Sequence, residues 1–128
     1  MPLLARLSIT PRVVACAALL ALAPLASAAT GFVDQATIVN LQAVTQPNLS
    51  GQPGAYFVYI NLPPGGPSCA TYGQTSKRFV VNPNTEAGMS VIATLLAAQA
   101  SGRNIQVTGS GLCDIWSDTE SIVSVFTE

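Results

Sequence analysis

The chain has 128 residues, with five Lys plus Arg against six Asp plus Glu, three Cys and no His. That length allows one ordinary domain, and the lack of His removes the commonest general base and the commonest metal ligand. A formal net charge of −1 gives no electrostatic case for nucleic acid or an anionic membrane as a partner.

The first 28 residues read as an export signal. Arg6 and Arg12 are the only charges before Asp34, and an eleven-residue apolar run, Val13 to Ala23, follows them. Pro24 breaks the run, and Ala26-Ser27-Ala28 places small residues where a signal peptidase cuts. A membrane-spanning helix needs about 20 apolar residues, more than this run supplies. Cys16 lies inside the first half of the run, too early for a lipid-modified cysteine. Cleavage after Ala28 is expected, leaving residues 29–128 as one exported domain, periplasmic or secreted. Three basic residues (Lys77, Arg78, Arg103) then face six acidic ones, a net charge of −3. Cys69 and Cys113 remain, and in an oxidising compartment they are expected to pair.

Along the mature chain, Ala36 to Val44 alternates from Val39 onward and predicts a half-buried strand, with a bulge at Ile38-Val39. The turn formers of Pro47 to Gly54 end it. Ala55 to Leu62 is β-branched and aromatic, the strongest strand in the sequence. A Pro-Gly stretch and the Cys69 loop lead to a third strand, Arg78 to Val81. Asn82-Pro83-Asn84-Thr85-Glu86 carries helix-start signals. Met89, Ile92, Ala93, Leu96 and Ala100 then fall on one helical face, and Gly102 marks the stop. Nothing between Ala87 and Gly102 is charged, so the helix is expected either to be covered on a second side by something other than its own barrel or to expose a plain alanine surface. Asn104 to Thr108 reads as a fourth strand, Gly109 to Asp118 as a loop, and Ser121 to Thr127 as a fifth strand.

Three strands, a helix and two strands is the order of the OB-fold, a five-stranded Greek-key barrel with its helix between strands 3 and 4. A split βαβ or another small α+β domain is the alternative. From Leu95 through Ala100-Ser101-Gly102-Arg103, the following strand, and then Gly109, Gly111, Cys113, Trp116, Asp118 and Glu120, the chain resembles a group of small exported bacterial proteins. The architecture of that group is similar to the OB-fold-like barrels of the sugar-binding B subunits of pentameric toxins. The resemblance implies a binding module and self-association, and it carries no catalytic or binding residue with it.

The chemistry points the same way. Without His, a Ser-His-Asp or Cys-His nucleophile is excluded. Lys77 is the only Lys, in a loop with no evident partner. Asp114, Asp118 and Glu120 read as a solvated acidic loop, since their spacing does not match a calcium loop. Gly109-Ser110-Gly111 lacks the following helix that a phosphate cradle needs. Asn48-Leu49-Ser50 fits a glycosylation acceptor.

The expectation is therefore a non-catalytic module without cofactor or metal, binding a glycan or a protein. The alternative is a self-assembling structural protein with no small-molecule ligand. Trp116 is a stacking platform or a cover over the Cys113 loop. Phe57 and Tyr59 face outward if Tyr56, Val58, Ile60 and Leu62 face the core, so Phe57, Tyr59 and Trp116 are the candidate ligand residues.

Overall fold

The structure, a computed structural model, describes residues 31–62, 66–71 and 77–128. The expected export signal, residues 1–28, lies outside them. Among the described residues the fold is mainly β with one helix. Its elements are β1 (Phe32–Ala36), β2 (Ile38–Pro47), β3 (Pro53–Ile60), β4 (Lys77–Val81), α1 (Glu86–Ser101), β5 (Ile105–Gly109) and β6 (Glu120–Thr127). They form one six-stranded sheet in the order β1-β5-β6-β4-β3-β2. All neighbours are antiparallel except β4 and β6, which meet in parallel at Phe79–Glu120 and Val80–Ser121.

Six strands stand where five were expected, and the sheet is not closed into a barrel. The extra strand is β1, most of which precedes the first strand that the sequence predicts. Gln35 adopts a positive φ of 53°, and the register against β5 shifts between Val33 and Ala36. That kink interrupts the alternation, so no period-2 signal spans Phe32 to Ala36. Thr37 alone separates β1 from β2, so the two edge strands of the sheet are consecutive in the chain.

The main core lies between the sheet and α1. Val58 and Ile60 of β3, Phe79 and Val81 of β4, and Ile105 and Val107 of β5 pack with Ile92, Leu95 and Ala98 of the helix. Thr85 caps α1 by accepting from the Gly88 N–H at 2.9 Å. Gly102 ends it in the left-handed conformation, φ 66°. The buried face is a correction to the sequence reading. Met89 and Leu96 are 54% and 46% exposed, and Ala93 and Ala100 are also exposed. Gly88, Ile92, Leu95 and Ala98 face inward instead. Gly88 explains the rotation, because its missing side chain lets the helix sit on the Asn82 carbonyl, where a Cβ would overlap the oxygen. Beyond Glu86 in its first turn the helix is uncharged and offers two apolar stripes to the core, and this close backbone approach selects one.

β3 is buried on both faces. Tyr56, Val58 and Ile60 face the main core, while Ala55 and Phe57 join Val80 and Trp116 in a second cluster on the other side.

Candidate functional site

The second cluster exists because the β5–β6 loop folds back over β3 and β4. Trp116 meets the Phe57 ring edge-on, with centroids 5.1 Å apart and planes at 86°. The Arg78 guanidinium lies over the same Phe57 ring, 4.5 Å from its centroid. Arg78 Nε donates to Thr119 Oγ1 at 2.9 Å, and Nη2 donates to Asp118 Oδ1 at 2.6 Å and also to Thr119 Oγ1. Cation, ring and indole thus fix the loop from beneath. Phe57, offered by the sequence as an outward ligand residue, is only 3% exposed and supports Trp116 instead.

The β2–β3 turn docks against the same loop through the Leu49 N–H, which donates to the Ile115 carbonyl at 3.0 Å. Asn48 organises that turn. Its Oδ1 accepts from Ser50 N–H, Ser50 Oγ and Gln52 N–H, and its Nδ2 donates to the Gly54 carbonyl. A buried Asn48 so engaged is an Asx-type turn anchor, which corrects its reading as a glycosylation acceptor. Between turn and loop lies a cleft of about 200 Å³ lined by Pro47, Asn48, Leu49, Trp116 and Ser117. Trp116 is half-buried, one part on Phe57 and one part on the cleft. Tyr59, the third candidate, does not line it. Its hydroxyl donates to Gln42 Oε1 at 2.9 Å on the outer face of β3.

The acidic loop does not exist as one group. Asp114 accepts from Ser121 Oγ, Asp118 pairs with Arg78, and Glu120 turns inward to Lys77. Among the described residues, no group of three Cys, Asp or Glu side chains is placed to hold a metal. Lys77 opens β4 and is 2% exposed, and Glu120 opens β6 and is 0% exposed. Their Nζ and Oε2 lie 3.0 Å apart. Neither the lone lysine without a partner nor the solvated glutamate of the sequence reading survives. Glu120 Oε1 accepts two backbone N–H groups, from Gly31 at 2.8 Å and Gly111 at 2.9 Å. Gly31, Gly66 and Gly109 press backbone against the pair, and a Cβ on any of them would overlap it. Since Gly111 spends its N–H on Glu120, the Gly109-Ser110-Gly111 stretch serves a carboxylate of its own chain.

Cys69 and Cys113 are bonded, with Cα atoms 6.2 Å apart. The bridge joins the two segments that cover the ion pair, one carrying Gly66 and the other Gly111. Among the described residues, no helix is long and apolar enough to cross a membrane. No known protein family, curated protein or solved structure matches the chain.

Proposed function

We propose that the chain is an exported, non-catalytic binding module that receives a single sugar ring in the Trp116 cleft. The observation that carries this reading is the half-buried Trp116, backed by Phe57 and forming one wall of the cleft. A rigid aromatic wall presents a flat apolar surface at little entropic cost on binding. At about 200 Å³ the cleft is smaller than the roughly 300–1,000 Å³ of sites for drug-sized ligands, a size that suits one ring.

The test is direct, because Trp116 is the single Trp of the chain. Titration with a panel of monosaccharides and glycan fragments is expected to shift its fluorescence saturably, and W116A is expected to abolish binding measured by calorimetry. A flat response across the panel from folded protein removes the sugar reading. Saturation by a peptide instead moves the ligand class to protein.

The strand order supports placing this module among OB-fold-like barrels. With β1 and β2 read as one strand bent at Thr37, five strands remain, and α1 falls between the third and fourth. Equal amide-exchange protection of β1 and β2 is the expected signature of such a bent strand.

A second reading, self-assembly, is favoured by one observation. Met89, Ala93, Leu96 and Ala100 form an exposed apolar stripe along α1, the kind of surface that marks an interface. Gel filtration of the wild type against L96E separates the two readings, since a monomeric wild type at high concentration leaves the stripe without a second copy.

A further inference from the structure

The Lys77–Glu120 pair stands apart from the Trp116 cleft, and its hydrogen bonding is that of a different functional group. An ammonium has three donors and a carboxylate about four acceptor positions. Among the described residues, Nζ meets one acceptor, Oε2, and sits beside the Phe79 ring, whose centroid lies 4.8 Å away, and the backbones of Gly31 and Gly66. A buried ion pair with donors left over is a poor exchange for water. Oε1, by contrast, holds two backbone N–H groups, the complement of an amide carbonyl with two lone pairs. An amide nitrogen, in turn, would carry one N–H in place of three.

We propose that Lys77 and Glu120 are a modification site at which the chain condenses with itself, forming an amide between the lysine nitrogen and Glu120 Cδ. One proton passes from Nζ to Oε2 along the 3.0 Å contact, giving an amine and a carboxylic acid. The nitrogen lone pair attacks Cδ, and the carbonyl π electrons move onto Oε1. There the Gly31 and Gly111 N–H groups, at 2.8 and 2.9 Å, meet the developing negative charge as an oxyanion hole does. The N–C bond forms, the Cδ–Oε2 bond breaks, and Oε2 leaves as water with its own proton and one from the nitrogen. The second nitrogen proton stays on the amide. No oxidation state changes and no co-reactant is consumed.

Two features favour the product. The reacting groups are held on the first residues of β4 and β6 and need no diffusional encounter. The glycine backbones and the Cys69–Cys113 bridge cover the site, which keeps out the water that would reverse the step. The proposal does not depend on the sugar reading, and neither test bears on the other.

The experiment is the intact mass of the reduced, denatured chain, with K77R alongside. The wild type is expected to be lighter than its sequence by one water, and K77R to show its full sequence mass. A digest of the wild type should contain a branched peptide joining Lys77 to Glu120, with trypsin failing to cut after Lys77. A wild-type chain of full sequence mass after prolonged incubation in the folded state overturns the proposal, and so does a K77R chain that still lacks a water. Because the decisive reading is made on the wild type, misfolding of K77R would not spoil it.

Discussion

Gly109 faces the Glu120 carboxylate with no space for even a methyl group. G109A must therefore shift the Glu120 side chain or displace β5 from β6, and overpacking a buried site costs about 1–3 kcal/mol. A urea midpoint lowered to match, with an unchanged slope, is the expected outcome, and near-wild-type stability would show that the cradle yields. The pairing itself was not legible in the sequence. Lys77 and Glu120 lie 43 positions apart, and no local pattern joins a strand-opening lysine to a strand-opening glutamate across a parallel ladder two residues long. Trp116 was legible by residue type alone, as the single Trp beside a half-cystine. Phe57 was half legible. Alternation sets it opposite Tyr56 and Val58, but only the return of the β5–β6 loop decides that this opposite face is covered.

For the helix, the sequence marks where it starts and stops, through Thr85 and Gly102, but leaves its rotation open. The reason is composition. An uncharged segment rich in Ala, Leu and Ile has more than one apolar stripe at helical spacing, and periodicity cannot rank them. The structure ranks Leu95 above Leu96, which gives a paired prediction. L95A is expected to lose about 2–5 kcal/mol by opening a cavity in the core, whereas L96A on the exposed side should stay within about 0.5 kcal/mol. Thermal unfolding of both variants checks it, and equal losses would mean that the helix is rotated. Thr85→Ala removes the acceptor for the Gly88 N–H and should cost about 1 kcal/mol, recovered in part by Thr85→Ser. Of the strands, β2 through β6 were legible from alternation and turn formers, including the irregularity after Ile38. β1 was not, because its kink at Gln35 erases the period that would have revealed it.

At the scale of the molecule, the disulfide was expected from compartment and cysteine count, and its two ends do lie on loops that meet. Chain-entropy arithmetic for a loop of this length gives roughly 4 kcal/mol, so reduction before urea unfolding should lower stability by about that amount. No change on reduction would mean that the unfolded chain is already constrained. For the export signal, the expected mature N-terminus is Ala29, which mass spectrometry of the exported protein would show. Gly31 would then be the third residue of the mature chain, and its N–H would still reach Glu120. Recovery of an intact Met1 chain in the cytoplasm would refute export.

The bridge also closes a covalent ring. β4, α1 and β5 all lie between Cys69 and Cys113, so three of the seven described elements sit inside a loop of chain with no free end. Arg103, exposed just past the helix, is inside that ring, while Lys77 and Arg78 are shielded by burial. A single tryptic nick after Arg103 therefore releases nothing. The two pieces stay tethered through Cys69 and Cys113, and reductant alone should part them only if no other bond spans the cut. Lys77 lies on one piece and Glu120 on the other. A nicked chain that remains whole after reduction and denaturation would be held by that second tether, making the protein a clasp that survives both proteolysis and a reducing environment.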